Sequence, residues 1–289
     1  MLPFGQNDTW HHKPLFGAPT RVARSSVNTV LRVTDARTGR LTGIPAPYQR
    51  LLRMSVSLPC AGRTVGLSDV RVLLVGDVLL RTVESDGLQV VHALGFPDLP
   101  PEQTRALGRA ITALGIHPPS AEPGGEADVQ VFGHGDGRRG ARESVSIEVG
   151  RVHDGGLGEP DVDGDGALRW LLDGSGVDPL AIRLALLTHA YGMPMSPSPY
   201  KPVVDAERTL SRWRRRVADW ARAPSKPIPD DVRFHVRAAL AEDLETAGLV
   251  RILRRVEEDA DVLDGAKFET FVYVDRVLGL ELAREVGRV

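Results

Sequence analysis

The spacing of apolar positions divides the chain into two unlike parts. "VNTVLRVTD" and "LLRMSVSL" are β-rich runs, joined by the Gly/Pro punctuation of "TGRLTGIPAP". "DVRVLLVGDVLLRTVESDG" then sets Val72, Val75, Leu79 and Val83 at helical spacing, with Leu73 and Leu80 alongside. Asp69 reads as its N-cap and Gly87 as its far end. "LQVVHALGF" follows as a strand, so residues 51–95 predict the strand–helix–strand unit of a parallel sheet. "PPEQTRALGRAITALGI" predicts a helix with Pro at its start and Gly115 near its end. "DVQVFG" and "SVSIEVGRV" are short strand candidates in a Gly-, Pro- and charge-rich stretch. From "DPLAIRLALLTHAYG" onward the periodicity is helical. Leu210, Trp213, Val217 and Trp220 form a stripe, and "PDDVRFHVRAALAEDL", "AGLVRILRRVEEDADVL" and "KFETFVYVDRVLGLEL" predict three more helices.

The expected fold class is therefore α/β, a Rossmann-like domain with a parallel sheet followed by a C-terminal helical bundle. The boundaries expected are an extension over 1–28, the α/β domain over 29–178 and the bundle over 179–289. A length of 289 residues allows two domains and a sizeable core. The net charge of -2 gives no global field favouring nucleic acid or anionic membrane. No apolar run approaches the about 20 residues of a bilayer span. With a single cysteine, Cys60, neither an intramolecular disulfide nor a Cys-based zinc cluster can form. A cytoplasmic protein without membrane contact is the expectation.

Candidate chemistry is sparse. Gly66 and Ser68 lie where a strand leads into a helix, a layout that can hold a phosphate on backbone N–H groups. The alternative is a capped turn, because Asp69 repels phosphate and neither GxGxxG nor a P-loop lysine is present. "DVDGDGALRWLLD" begins as a calcium loop with Asp161, Asp163, Asp165 and Gly166, but Leu172 stands where the bidentate Glu belongs. The paired His11 and His12 read as a polar tail. The remaining histidines form no HxH or HExxH pair. Arg208, Arg212, Arg214, Arg215 and Arg216 flank the tryptophan stripe, and Arg208, Arg212, Arg215 and Arg216 are candidate RNA contacts. A solvated face paired with Asp205, Glu207 and Asp219 is the alternative.

Several stretches together resemble cysteinyl-tRNA synthetase, and with it the related cysteine ligase of mycothiol synthesis. In "MSVSLPCAGRTVGLSDVRVLLVGDVLLR", Met54, Val56, Arg71, Asp77, Val78 and Arg81 fall on matching positions. "ITALGIHPPSAEP", "LLDGSGVDPLAIRLALLTHAYGMPM", "LAEDLETAGLVRIL" and "DRVLGLEL" are similar to further family segments, in family order. The resemblance implies a class I synthetase fold and an ATP site at its "HIGH" turn, which falls here on Gly66–Asp69. The family's first zinc ligand falls on Ser57, and the region of the other zinc ligands is shortened and lacks them. Its lysine-bearing "KMSKS" loop falls on "LGEPD", Leu157–Asp161, behind Asp154 and Gly155, which match the family's "DG".

What matches is framework and what differs is chemistry. Adenylation needs cationic donors around pentavalent phosphorus, and each lost donor is worth about 10²–10³ in rate. The resemblance thus implies a motif-degenerate paralogue retained for binding or regulation. Gly66, Ser68, Asp69, Arg71 and Gly155 would form a residual nucleotide site, with Ser57 in the substrate pocket. The alternatives are an ATP-dependent amino acid ligase using Arg71, Arg63 and His153 as cations, and an RNA-binding module. No zinc or other cofactor is expected; ATP and magnesium belong to the ligase alternative alone. The ligand is expected to be an unidentified small molecule or protein.

Overall fold

A computed structural model describes residues 31–45, 51–60, 64–122, 124–135, 144–153, 168, 170–174, 176–195 and 200–288. Strands β1 (Arg32–Asp35) and β2 (Arg40–Gly43) form an antiparallel hairpin. The second strand corrects the reading of "TGRLTGIPAP" as punctuation alone. Gly39, at a φ of 65°, supplies the left-handed residue that closes the turn, and the residues after it pair back onto β1.

Strands β3 (Leu51–Ser57), β4 (Gln89–Gly95), β5 (Val129–Gly133) and β6 (Val145–Val149) form one four-stranded sheet in the order β4–β3–β5–β6, parallel throughout. The chain goes from β3 to β4 on one side and then crosses to β5 on the other, so β3–β5 is the switch point. In open α/β sheets, ligand crevices lie beyond the carboxyl ends of strands at such a point.

Helix α1 (Leu67–Ser85) is apolar on nearly every side and is accordingly buried along its length. It crosses β3 closely at Gly76, where a Cβ would lie 2.9 Å from Val56 Cγ2. Helix α2 (Pro101–Ala113) starts on Pro101 and ends before Gly115, whose φ of 62° turns the chain back. A single π-helical turn spans Trp170–Gly174.

Five helical segments were expected after Asp178, and the described chain holds them: α3 (Pro179–Leu187), α4 (Tyr200–Trp220), α5 (Asp230–Ala241), α6 (Thr246–Glu258) and α7 (Asp264–Leu278). Asp178 caps α3 by accepting from the Leu180 N–H at 2.9 Å. The stripe Leu210, Trp213, Val217 and Trp220 is buried, and both tryptophans meet Phe271 of α7 edge-on, with ring centroids 5.6 and 5.0 Å away.

Helix α1 is fastened to the helices beyond it and to the segment after α2 through one buried carboxylate. Asp77 of α1 accepts from Arg81 Nε at 2.8 Å, Arg183 Nη2 at 2.5 Å, the His117 N–H at 3.0 Å and His117 Nδ1 at 2.7 Å. Arg183 continues to the Leu278 and Leu114 carbonyls, and Arg81 to the Gly115 carbonyl. Burial alone would raise the Asp77 pKa, yet Arg183 and then Arg81 outweigh it and hold it down at about 2.

Candidate functional site at the carboxyl edge of the sheet

The turn between β3 and α1 sits at the carboxyl end of the central strand, beside the switch point. Gly66 is the residue before the helix, in an extended conformation, and Asp69 occupies the third helical position instead of the cap expected for it. The Asp69 carboxylate reaches back to accept the Gly66 N–H at 2.9 Å and the Cys60 N–H at 3.0 Å. Cys60 is buried with a φ of 43°, a left-handed conformation uncommon for a residue with a side chain. Asp69 therefore points into the protein and is only 4% exposed. Burial raises its pKa, opposed by the N–H groups of Gly66 and Cys60.

Ser68 and Arg71 also bind protein atoms. The Ser68 hydroxyl accepts from the Val152 N–H at 3.0 Å and donates to the Val152 carbonyl at 3.2 Å. Arg71 is 1% exposed. Its Nη1 donates to the carbonyls of Gly150 at 2.9 Å and Met193 at 2.7 Å, and its Nη2 to Ala190 at 2.8 Å. Desolvation lowers its pKa to about 10, so it remains a cation at neutral pH. The segment after β6 is bonded in turn to the segment after α3: the Gly150 N–H donates to the Tyr191 carbonyl, and Val152 bridges Met195. A Cβ on Gly150 would lie 2.5 Å from the Met193 carbonyl oxygen, which explains glycine there.

Gly66, Ser68, Asp69 and Arg71 thus meet at one joint, three of them with side chains turned inward. Ser57 ends β3 in register with Gly95 and Phe132, at the same edge of the sheet. Gly155, Arg63, "LGEPD" and the aspartates Asp161, Asp163 and Asp165 lie outside the described residues. His153 is exposed, with its N–H on the Met195 carbonyl. Among the described residues no three His, Cys, Asp or Glu side chains stand together in a way that could hold a metal ion. No described helix is long and apolar enough to cross a membrane.

The arginines of α4 are not a uniform outward stripe. Arg212 makes a two-point contact with Glu257 at 2.8 and 3.1 Å, and the Trp213 indole N–H shares that carboxylate. Arg208 lies 3.7 Å from Asp205. Arg214 turns inward to Asp178 and to the carbonyls of Leu280 and Glu281. Arg215 Nε reaches the Ser211 carbonyl of its own helix at 3.4 Å.

One cluster was not visible as a site in the sequence. Asp243 accepts from the Thr34 N–H at 2.7 Å, from Thr34 Oγ1 at 2.9 Å and from the Tyr191 hydroxyl. Asp243 and Leu244 are consecutive left-handed residues, with φ of 59° and 48°. The available signal was that Tyr191 and Asp243 each fall inside a family-like stretch, "THAYGMPM" and "LAEDLETAG".

No family model matches the chain. Curated relatives do. The L-cysteine:1D-myo-inositol 2-amino-2-deoxy-alpha-D-glucopyranoside ligase of Geodermatophilus obscurus is 36% identical over 117 residues, 38% of this chain and 26% of that protein. The ligase of the same name from Beutenbergia cavernae is 40% identical over 81 residues, 27% of this chain and 18% of its own. The one from Thermobifida fusca is 39% identical over 87 residues, 30% of this chain and 19% of its own. The chain is similar to cysteine ligases. These belong to the group related to cysteinyl-tRNA synthetase that the sequence motifs resemble, and the parallel sheet with its flanking helices is consistent with a class I synthetase-like domain. The chain spans about a fifth to a quarter of the length of the relatives it matches.

Proposed function

We propose that this chain is a ligase-related protein of the class I synthetase type that no longer forms an adenylate and serves in binding or regulation. The observation that carries this reading is the inward commitment of the turn at Gly66–Asp69. In the family it resembles, the corresponding histidines hold ATP phosphates. Here Asp69 caps Gly66 and Cys60, and Ser68 holds both polar atoms of the Val152 backbone. A triphosphate approaching the turn would meet no cationic side chain from these four residues. The Arg71 guanidinium, the strongest candidate cation, is buried on three carbonyls. Zinc is not expected, because serine at position 57 is a poor substitute for a thiolate ligand.

The second reading is an active ligase with altered residues, and the activity for which the relatives are named favours it. It needs cations from Arg63, His153 or elsewhere to converge above the turn. The RNA-binding reading is weakened by the pairing of Arg208 and Arg212 with carboxylates. Amino-acid-dependent ATP–pyrophosphate exchange across all amino acids decides between the first two. We expect no exchange with cysteine, and none after Asp69→His, because the lysine loop remains absent. Cysteine-dependent exchange by the unmodified chain, or micromolar ATP affinity by calorimetry, would establish the ligase instead.

A further inference from the structure

Away from the turn, β4 is an outer strand of the sheet, and the chain that follows α2 covers its edge. Residues 117–121 run along it as a strap, with Ala121 in a parallel bridge to Ala93. His92 of β4 binds this strap through both its backbone and its ring. Its carbonyl accepts the Ser120 and Ala121 N–H groups at 2.9 and 3.1 Å, and its N–H donates to Ser120 Oγ at 3.0 Å. Its ring Nε2 lies 3.3 Å from the His117 carbonyl oxygen, which only accepts, so Nε2 carries the proton and Nδ1 a lone pair. The ring is buried, with His92 8% exposed, and Nδ1 has no partner among the described residues. A cavity of about 20 Å³ lies beside it, walled by apolar side chains of β3, α1 and α2 and by Pro119 of the strap. Asp77 also borders this cavity, but each of its oxygens already accepts two donors. A proton added to Nδ1 therefore meets no side-chain acceptor there.

The strap is lightly held beyond these bonds. His117 is anchored on Asp77 through its N–H and its ring, but Pro118, Pro119 and Ser120 are exposed and Ala121 is half-buried. Segments with so few buried contacts open locally, at a free-energy cost well below that of global unfolding. We infer that residues 118–121 form an acid-released strap: a proton on His92 Nδ1 drives them off β4, with His117 as the hinge, and the freed ring reaches water. The opened state also bares the outward N–H and carbonyl of His92 on the edge strand. Burial is the largest influence on the His92 pKa and lowers it; the His117 carbonyl, Asp77 and Glu84 of α1 raise it, and the His117 ring lowers it. With the strap open, His92 titrates near its ordinary 6.5, so opening is favoured as pH falls below 6.5 and reversed above it. A closed form that excludes the proton raises the opening constant about tenfold between about pH 7.5 and 5.5. This inference is independent of the fate of the nucleotide turn.

Hydrogen exchange of the full chain, resolved by NMR to the Ser120 and Ala121 amides and corrected for intrinsic exchange rates, tests this. Protection at these two amides is expected to fall about tenfold from about pH 7.5 to 5.5. Their exchange should also be insensitive to urea below the unfolding transition, the mark of local opening, while buried amides of α6 exchange faster as urea is added. His92→Gln offers the His117 carbonyl an N–H donor without a titrating nitrogen, and should keep the strap protected and remove its pH response. If His92→Gln does not fold, the ring shifts of His92 in the unmodified protein are followed against pH instead. Protonation of the ring in step with loss of strap protection supports the inference. Protonation with the strap still protected means that the cavity supplies a water to Nδ1, and overturns it. A pH-independent strap, the same pH response in His92→Gln, or urea dependence equal to that of the α6 amides overturns it as well.

Discussion

Asp77→Asn isolates the worth of the charge network that joins α1 to the helices beyond it. The substitution keeps the shape of the side chain and an oxygen for the His117 N–H, but removes the carboxylate bonded to both guanidiniums, leaving Asp275 as a second carboxylate whose field reaches them. The Arg183 and Asp77 side chains are both 0% exposed. After the change, Arg183 keeps the Leu278 and Leu114 carbonyls and loses its hydrogen-bonded counter-charge, with only the weaker field of Asp275 in its place. Removing one partner of a buried pair costs about 3–5 kcal/mol, because the other charge is left uncompensated. Arg81 adds less, being 19% exposed and partly screened by solvent. The expected destabilisation is therefore about 3–5 kcal/mol. Equilibrium urea unfolding measures it, followed by far-UV circular dichroism and by tryptophan fluorescence, with Trp213 and Trp220 reporting on the helical core. The companion variant, Asp77→Asn with Arg183→Met, also removes the stranded buried cation and should recover part of the loss, the remainder being the Leu278 and Leu114 carbonyls left without their donor. A loss under about 1 kcal/mol for the single variant, or a double variant no more stable than the single, would refute the reasoning.

Two further outcomes follow from the same region. Acid should destabilise the protein in two windows. The Asp77 pKa, held at about 2 against an ordinary 3.8, gives stability that is present above 3.8 and lost as pH falls through about 2. The His92 pKa is lowered from 6.5, chiefly by burial, so stability is full above 6.5 and falls as pH drops below it. Urea midpoints measured against pH should show both slopes, with Asp77→Asn removing the first and His92→Gln the second. Gly279→Ala should destabilise by more than about 1 kcal/mol in the same assay. Gly279 ends α7 at a φ of 61°, and a Cβ there would lie 2.9 Å from Arg183 Nη2 and 3.0 Å from Arg81 Cζ.

The strands and helices were legible because their burial is one-sided or complete. β3 alternates its apolar residues, and the α4 stripe keeps its period over three turns. The hairpin strand β2 was not legible: Arg40–Gly43 is only partly buried and carries no alternation strong enough to outweigh the Gly and Pro around it. The role of Asp69 was half legible. Its position near the start of α1 marked it as a cap, but a carboxylate at the third helical position reaches back to the preceding N–H, so the helix starts earlier, on Gly66. Nothing local announced the link from Asp69 to Cys60 or from Asp243 to Thr34, because both depend on tertiary contacts between separated segments.

The residues that carry the family resemblance are mostly buried and bonded to protein atoms. Asp77, Arg81 and Arg183 come from two stretches far apart in the chain and close on one carboxylate, and their carbonyl partners at Leu278 and Gly115 come from two more. Arg71, Tyr191 and Asp243 likewise hold the segments after β6 and α3, and β1, against the helices. Such residues preserve a fold whether or not catalysis persists, since exchanging any one strands a buried charge or carbonyl. The resemblance is thus strong evidence for how this chain is held together and weak evidence for its chemistry. Chemistry has to be argued from the groups free to touch a ligand. At the turn, Asp69, Ser68 and Arg71 all point into the protein.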